Sequence, residues 1–235
     1  MKKASHGLID FHAHILPDAD HGSSSVETSL FQLKQAWIHG VERIVATPHF
    51  YPQSHNIEAF IERRNLANKS LLPYINEELP DIRLGAEVLI CNGIENMPEI
   101  EKLFVQDTNT LLLELPFSDF QPDYVRSVGI LCSRGINVVL AHAERYRPEH
   151  IEELIQCGAK IQLNAHALAK IIKNKVLYGW IDRGLVVALG SDIHQRDRRA
   201  YVDFERAIRK LDERVDYIKA ESDRIWNSTK QLMKK

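Results

Sequence analysis

The feature that most constrains the fold is a regular alternation of short apolar runs with longer segments of helical pattern. Seven runs of five or six residues are apolar almost throughout, as is typical of parallel strands covered on both faces. The runs are Leu8–His12, Arg43–Thr47, Arg83–Val88, Thr110–Leu115, Asn137–Ala141, Lys160–Asn164 and Val186–Gly190. This alternation predicts an α/β fold built on a parallel sheet.

Helical patterns fill the segments between and after these runs. Ser25–His39 opens with serines suited to capping and stops at Gly40. The other predicted helices are Ile57–Glu78, Pro122–Arg134, Pro148–Cys157, Ala167–Arg183, Ala200–Arg214 and Asp216–Met233. Seven strands are one fewer than in the eight-stranded barrel, and a doubly wound open sheet fits the same alternation, so periodicity leaves both architectures open.

Composition narrows the class of protein. The chain has 235 residues without a linker, a low-complexity segment or an obvious repeat, so residues 1–235 are predicted to form one domain. A net charge of −2 gives no support to binding nucleic acid by charge alone. No apolar run approaches the roughly 20 residues of a membrane span. The start has no apolar signal segment, so we expect a cytoplasmic protein without membrane insertion.

Residue types that bind metal ions follow or end six of the seven predicted strands. They are His12, His14, His49, Glu87, Glu114, His142, Asp192 and His194. In α/β barrels the carboxyl ends of the strands converge on one face, so these side chains are expected to lie together. Buried carboxylates without partners cost several kcal/mol each, and metal cations would remove that cost.

Each of these signals has a structural alternative. A single His-x-His pair is weak, although His12 and His14 point the same way from a strand. Glu114, flanked by leucines, could instead pair with a buried Arg or Lys. The coincidence of all these residues at strand ends favours a metal site. The remaining histidines fit less well and are expected mostly at the surface: His6, His39, His55, His150 and His166.

At this point the motifs resemble a known superfamily. They are His12-Ala13-His14, Thr47-Pro48-His49, Gly85-Ala86-Glu87, Leu113-Glu114-Leu115, His142-Ala143-Glu144-Arg145 and Ser191-Asp192-Ile193-His194. In this order they resemble the PHP (polymerase and histidinol phosphatase) superfamily. The strings Ile15-Leu16-Pro17 and His142-Ala143-Glu144-Arg145-Tyr146 are similar to its bacterial protein-tyrosine phosphatases, which are often encoded with capsule and exopolysaccharide genes. The resemblance covers roughly residues 8 to 200.

The resemblance implies a distorted seven-stranded (β/α) barrel of TIM-like type and a centre of three divalent metal ions. Mn is the expected ion, and Fe or Zn would also suit such ligands. The ligands carried over by position are His12, His14, His21, His49, Glu87, Glu114, His142, Asp192 and His194. Glu87 is expected to bridge two ions. A metal-bound hydroxide would then act as the nucleophile on a phosphate monoester.

One ligand position departs from the family pattern. The phosphatases commonly have Asp-Asp-Gly after the first motif, whereas this chain has Asp20-His21-Gly22. A neutral His can replace Asp as a ligand, but the exchange removes one negative charge and could shift the preference toward a softer ion. Asp20 is an alternative ligand at this point of the sequence.

Two arginines are the candidates for binding the phosphate. Arg145 lies three residues after His142 and can grip phosphate with a bidentate fork. Arg199 occupies the family's Arg position, five residues after His194, although it also lies in a charged surface run. The thiol-based phosphatase loop is absent, because no Cys is followed by Arg six residues later.

The resemblance also implies a substrate. It predicts a phosphotyrosine protein, specifically an autophosphorylating bacterial tyrosine kinase that controls polysaccharide export. The C-terminal helices could pack on a second copy of the chain. Three alternatives stay open: a small-molecule phosphatase such as a histidinol-phosphate phosphatase, a phosphodiesterase, and a non-catalytic binding module. The loops Phe50–Asn56 and Pro116–Pro122 would decide the substrate, because an open site favours a protein.

Overall fold

Nine parallel β-strands form a single sheet in this computed structural model, which describes residues 7–117, 119–170, 172 and 174–228. The strands are β1 Leu8–Ala13, β2 Val41–Ala46, β3 His49–Phe50, β4 Asp81–Leu84, β5 Glu87–Leu89, β6 Thr110–Glu114, β7 Asn137–Leu140, β8 Lys160–Asn164 and β9 Val186–Gly190. Their order in the sheet is β3-β5-β6-β7-β8-β9-β1-β2-β4. Every pairing between neighbours is parallel.

The pairing pattern curls this sheet into a distorted barrel of seven positions. β2 and β3 are two halves of one interrupted strand, and so are β4 and β5. β2 pairs with β1 and β4, whereas β3 pairs with β5, which also pairs with β6. The predicted seven-stranded (β/α) barrel is therefore confirmed, and the pairings do not fit a doubly wound open sheet.

The breaks between β2 and β3 and between β4 and β5 show that one of the predicted strands had wrong bounds. Arg83–Val88 is not one strand, because the ladder breaks at Gly85 and Ala86. The backbone N–H of Gly85 still donates to Ala46 at 2.8 Å, and that of Glu87 donates to Pro48 at 3.1 Å. Pro48 itself has no N–H to donate, which explains the matching break between β2 and β3.

Eight α-helices accompany the strands in the described part of the chain. They are α1 Val26–Ile38, α2 Ile57–Leu71, α3 Pro122–Ser133, α4 Pro148–Gln156, α5 Ala165–Ala169, α6 Lys175–Asp182, α7 Ala200–Leu211 and α8 Arg214–Asn227. Short 3-10 turns occur at Leu72–Tyr74, Ile94–Asn96, Ile100–Leu103 and Ala143–Arg145. The predicted cap of α1 is confirmed, since the Ser25 hydroxyl accepts the N–H of Thr28 at 3.2 Å.

Two predicted helices were too long. Ile57–Glu78 ends its α-helical part at Leu71, because Pro73 lacks the N–H that a continuing helix needs. Ala167–Arg183 is two helices, α5 and α6, and the side chain of Asn174 caps the second by accepting the N–H of Val176 at 2.9 Å.

The last two helices also differ from prediction at their bounds. α7 ends at Leu211, before Asp212 with its positive φ of 53°. α8 begins at Arg214, two residues before the predicted start, and ends at Asn227, since Ser228 is extended. The rest of the predicted helix, residues 229–233, lies outside the described residues.

The core lies on both sides of the strands. β1, β6 and β9 are buried at every position, as the continuous apolar runs predicted. A smaller apolar cluster contains Phe11, Leu112 and Val139 together with Ile225 and Trp226 of α8. Within the described ranges, no helix has both the length and the apolar character needed to cross a membrane.

Candidate metal centre

The carboxyl ends of the strands bring eight of the predicted ligands into one cluster. β1 supplies His12 and leads into His14, β3 begins with His49, β5 begins with Glu87, and β6 ends with Glu114. The turns after β7 and β9 supply His142, Asp192 and His194. The first six of these residues are buried, and Asp192 and His194 are partly buried. The barrel geometry therefore gathers residues that are up to 182 positions apart in the sequence (from His12 to His194).

Glu87 lies at the middle of the cluster and is fully buried. Its Oε2 is 3.2 Å from His12 Nε2, 3.3 Å from His14 Nε2 and 2.8 Å from His49 Nδ1. Its Oε1 is 2.7 Å from His142 Nε2. Each of the two carboxylate oxygens of Glu87 therefore lies close to at least one imidazole nitrogen.

Two further carboxylates flank Glu87. Asp192 Oδ1 lies 3.7 Å from His12 Nε2 and 3.5 Å from His14 Nε2. On the other side, Glu114 Oε1 lies 3.5 Å from His142 Nε2. The cluster therefore has three carboxylates for its imidazoles, a combination that suits divalent cations.

A third group consists of imidazoles alone. The ring of His21 stacks on His49 with centroids 4.8 Å apart and on His194 at 4.7 Å. His194 also stacks on His14 at 4.1 Å. His21 itself is exposed. His21 occupies the position where the resembling phosphatases commonly have Asp. Its ring lies against those of His49 and His194, and these three residues would bind one ion together.

Orphaned polar atoms support metal binding at this cluster. Glu87 Oε2, His49 Nδ1 and His194 Nε2 are buried without a partner in hydrogen-bond geometry, although Glu87 Oε2 and His49 Nδ1 lie only 2.8 Å apart. Buried polar groups are normally satisfied, and leaving one unsatisfied costs about 1–3 kcal/mol. Three sets of potential ligand atoms lie within 4.8 Å of one another: His14, His49 and His194; His12, His14 and Glu87; and His49, Glu87 and Glu114. The residues present fit divalent ions.

Asp20 contacts Nδ1 of His14, whereas Nε2 of that ring lies near Glu87, and Asp20 belongs to none of these ligand sets. Its Oδ2 lies 2.7 Å from His14 Nδ1, so Nδ1 carries the proton and Nε2 faces Glu87. The same carboxylate accepts the N–H of Gly22 at 2.8 Å and of His49 at 3.0 Å. A Cβ at Gly22 would overlap that of His14, so only glycine permits this turn. The structure thus shows Asp20 orienting His14 and the backbone of His49, and its role as an alternative ligand stays a prediction.

Two supporting residues were not predicted from the sequence. Gln162 Oε1 lies 3.1 Å from His12 Nδ1 and accepts the N–H of His142 at 2.8 Å. The hydroxyl of Tyr146 lies 3.1 Å from His142 Nδ1. A polar residue inside the apolar run of β8 was the available signal for Gln162. Both contacts turn the Nε2 atoms of the two histidines toward the carboxylates.

The carboxylates also shift the titration of the imidazoles. Burial lowers the pKa of His14, but its close contacts with the carboxylates of Asp20 and Glu87 outweigh burial and raise that pKa to about 10. Burial also lowers the pKa of His142. Hydrogen bonds to Glu114 and Glu87 outweigh this effect and raise the pKa to about 9. The carboxylates therefore attract positive charge strongly, and divalent cations would meet the same demand.

Comparison with known proteins identifies the family. The family model for capsular polysaccharide synthesis proteins of the CpsB/CapC type matches residues 8–233. The chain belongs to this family. It is 30% identical to the tyrosine-protein phosphatase YwqE of Bacillus subtilis, over 83% of this chain and 80% of that protein. It is 31% identical to a putative tyrosine-protein phosphatase, CapC, of Staphylococcus aureus, over 83% of this chain and 80% of that protein.

A solved structure shares the fold of this CpsB/CapC chain. It comes from the crystal structures of YwqE from Bacillus subtilis and CpsB from Streptococcus pneumoniae, which are metal-dependent tyrosine phosphatases. The TM-score is 0.77 with 22% sequence identity, and the match covers 97% of both chains. This match confirms the fold, and the family model with the relatives named above confirms the predicted resemblance to this type of protein.

The two predicted arginines occupy different places in this member of the CpsB/CapC family. Arg145 follows β7 and forms an ion pair with Asp192 at the edge of the cluster. Arg199 is exposed just before α7, and its backbone N–H donates to Asp197 Oδ1 at 2.7 Å. In the part of the chain that the structure describes, Arg199 makes no contact with the ligand cluster; its side chain lines a separate groove.

Beside Arg145 lies a cleft of 320 Å³, which we call the aromatic cleft. It is lined by Leu115, Pro116, Phe117, Asp119, Phe120, Arg145, Tyr146, Arg147 and His150. Phe117 is 75% exposed, and its ring centroid is 6.1 Å from that of Tyr146. Phe120 stacks on His150 at 4.0 Å. The predicted surface histidine His150 thus contributes to a wall of this cleft, and the loop that follows β6 supplies the two phenylalanines.

Proposed function

We propose that this chain is a metal-dependent phosphatase that removes phosphate from phosphotyrosine in proteins. The observation that carries the proposal is the position of Arg145 between two sites of different chemistry. Its guanidinium pairs with Asp192 of the ligand cluster, and its side chain also lines the aromatic cleft. A phosphoryl group on the cluster side and a phenyl ring on the cleft side would meet at this residue.

Three divalent ions are the proposed cofactor, with Mn expected and Fe or Zn also compatible. The proposed ligand groups are His12, His14, Glu87 and Asp192; Glu87, Glu114 and His142; and His21, His49 and His194. Bound there, divalent ions would neutralise charge on the phosphoryl oxygens and lower the pKa of water for attack on phosphorus. The orphaned atoms of Glu87, His49 and His194 support this assignment.

The protein's own residues would bind and orient the substrate. Arg145 offers a planar fork of N–H donors, which matches two phosphoryl oxygens better than a point charge does. When the guanidinium of Arg145 binds phosphate, its ion pair with Asp192 would break, and the Asp192 carboxylate would then be free to bind the ions. Arg199 stays a prediction as a second phosphate ligand, since its side chain lines a different groove.

The aromatic cleft supports an aryl ester as substrate. Faces of Phe117 and Tyr146 would contact a phenyl ring, an arrangement that contributes about 0.5–1.5 kcal/mol per aromatic pair beyond burial. A tyrosine phenol leaves with a pKa of about 10, so little help from a general acid is needed. The exposure of Phe117 at the rim suits a tyrosine carried on a protein segment.

The family description supports a role in polysaccharide synthesis. We propose as physiological partner an autophosphorylated bacterial tyrosine kinase of polysaccharide export. The chain would act on its phosphotyrosines and so reverse the kinase's own modification.

The test is phosphate release from a phosphotyrosine peptide and from histidinol phosphate, measured side by side with Mn and with chelator. We expect chelator-sensitive turnover with higher kcat/KM for the peptide. Phe117→Ala should raise KM for the peptide about threefold to tenfold by removing one aromatic contact. Tyr74→Ala, an exposed aromatic away from the cleft, serves as the matched control. A preference for histidinol phosphate would overturn the assignment of the substrate.

A further inference from the structure

A second groove, which we call the basic groove, opens between α5 and the start of α7. It has a volume of 470 Å³ and is lined by His166, Ala169, Lys170, Arg199, Val202, Asp203 and Arg206. Four of these seven side chains are basic or can become so, and Asp203 is the one carboxylate among them. The proposed chemistry at the metal cluster does not use His166, Lys170 or Arg206.

The buried carboxylate of Asp203 organises one wall of the basic groove. Its Oδ2 lies 2.9 Å from His166 Nδ1, and its Oδ1 accepts from Arg206 at 3.0 Å. Because an ionised carboxylate only accepts hydrogen bonds, Nδ1 of His166 carries the proton in this pair. The imidazole and the guanidinium are thereby held side by side, with the His166 side chain 69% exposed.

The remaining cations of the basic groove have no acidic partner among the residues that the structure describes. Neither Lys170 nor Arg199 forms an ion pair with any residue in the described ranges. Lys210 adds a further ammonium nearby, since its Nζ donates to the backbone carbonyl of Lys170. Among the described residues that line the groove, Asp203 is the one carboxylate, and it already has two partners. An anion is therefore the ligand that complements this groove.

The basic groove lies close to the metal cluster. Asn164 ends β8 and donates through Nδ2 to Asp192 Oδ2 at 3.0 Å. His166 follows two residues later, so its Cα is at most about 7 Å from that of Asn164. An extended peptide advances about 3.3 Å per residue. A protein segment with its phosphotyrosine at the cluster would therefore reach the basic groove after about three residues.

We propose that the basic groove binds an anionic side chain of the protein substrate, a carboxylate or a second phosphate, about three residues from the phosphotyrosine. This inference rests on the proposed function, because it assigns a subsite to the same substrate. The apolar floor of Ala169 and Val202 would contact the stem of such a side chain. The groove would then select among phosphotyrosine sites by their neighbours.

The experiment compares phosphotyrosine peptides that differ only in flanking residues: Glu, Gln or phosphoserine at positions two to four on either side. The wild-type protein loaded with Mn should prefer the Glu and phosphoserine peptides through KM, by about fivefold over Gln. The Glu and phosphoserine arms distinguish the two sources of negative charge. Equal KM values for all three peptides would overturn the proposal while leaving phosphotyrosine hydrolysis intact.

Variants assign any preference to the groove. Lys170→Gln leaves both contacts of Asp203 in place, so it tests charge without disturbing the wall. Combined with Arg206→Gln, it should remove the preference for acidic peptides and leave kcat and the hydrolysis of p-nitrophenyl phosphate unchanged. Arg209→Gln on the same helix, which pairs with Glu205 and does not line the groove, is the matched control. A preference that survives the double variant would refute the assignment.

A binding measurement keeps the inference testable independently of turnover. Calorimetry with peptides that carry a non-hydrolysable phosphonate in place of phosphotyrosine reports affinity alone. Tighter binding of the Glu peptide, lost in the Lys170→Gln and Arg206→Gln double variant, supports the groove. Equal affinity of the Glu and Gln peptides overturns it. Lack of hydrolysis of every phosphotyrosine peptide by metal-loaded protein would instead overturn the proposed function.

Discussion

His14 Nδ1 lies 2.7 Å from Asp20 Oδ2, and this contact fixes which nitrogen of His14 faces the metal cluster. The carboxylate also accepts the backbone N–H of His49, so one residue orients two neighbouring ligands. Asp20→Asn would present an amide that can donate as well as accept, and the tautomer of His14 would no longer be fixed. We expect metal affinity to fall about 10- to 100-fold, as measured by calorimetric titration with Mn.

The matched control for this change is Asp18→Asn. Asp18 is exposed, two residues earlier in the same turn, and its side chain forms no contact with the ligands in the described part of the chain. Its metal affinity should equal that of the wild type. An unchanged affinity in Asp20→Asn would show that the fold alone orients His14.

Glu87 approaches four imidazoles, so its substitution should affect more than one ion. Glu87→Gln keeps the shape of the side chain but removes the charge that two proposed sites share. We expect bound metal, measured by mass spectrometry after dialysis, to fall below half of the wild-type content. The thermal stabilisation by Mn should shrink too, because a ligand at 100 times its Kd contributes about 2.7 kcal/mol. Retention of full metal content, with Glu101→Gln as control, would contradict a bridging role.

His21 stands where the family commonly has Asp, which makes the third proposed ligand group neutral. His21→Asp would add a hard oxygen ligand and one negative charge beside His49 and His194. We expect the ratio of Mn to Zn affinity to rise, because carboxylate suits Mn better than imidazole does. Competition between the two metals, read by calorimetry, measures the ratio. His21→Ala should weaken the binding of one ion without changing the ratio of Mn to Zn affinity. An equal ratio in the wild type and in both variants would exclude His21 as a ligand.

Arg145 and Arg147 line the same cleft, but only Arg145 pairs with Asp192. Arg145→Lys keeps the charge and loses the planar fork, so kcat/KM for a phosphotyrosine peptide should fall about 10- to 100-fold. Arg145→Ala should reduce it about 100- to 1,000-fold, as expected for loss of a donor to the transition state. Steady-state kinetics measure both. Arg147→Lys is the control, and an equal loss in that variant would argue against a specific phosphate contact by Arg145.

Tyr201 is completely buried, and its hydroxyl donates to Asp10 Oδ2 at 2.9 Å. Tyr201→Phe would leave that oxygen of a buried carboxylate unsatisfied. The free energy of unfolding in urea should fall by about 1–3 kcal/mol. Tyr217→Phe removes an exposed hydroxyl that donates to the carbonyl of Gly184, and should cost about 0.5 kcal/mol or less. A Tyr201 variant as stable as this control would mean that water replaces the hydroxyl.

The sequence predicted the structure best where local residue patterns combine with the general geometry of parallel sheets. The apolar runs predicted a parallel α/β fold and the family resemblance implied a barrel, and the structure confirms both. The predicted ligands His12, Glu87 and His142 lie together because parallel strands deliver their carboxyl ends to one face. The prediction of one continuous strand over Arg83–Val88 was wrong, since curling of the barrel interrupts the ladder at Gly85.

Other features depend on contacts that no local pattern encodes. Asp20 contacts Nδ1 of His14, and its role as an alternative ligand stays a prediction. Gln162 contacts His12 across 150 residues of sequence, and this contact depends on the sheet order, in which β9 lies between β8 and β1. Arg199 lines the basic groove, a position that no local pattern indicated, and its role as a phosphate ligand stays a prediction.

The sequence by itself determined the class of fold and the set of candidate ligands, because strand periodicity and donor chemistry are local properties of the chain. Only the tertiary structure decided which atoms of those ligands face one another. It also created the aromatic cleft beside Arg145 and the basic groove around Asp203, since each is lined by residues from separate segments. The selectivity of the cleft and of the groove depends on how these segments lie relative to one another. That arrangement follows from the packing of the whole barrel rather than from any single motif.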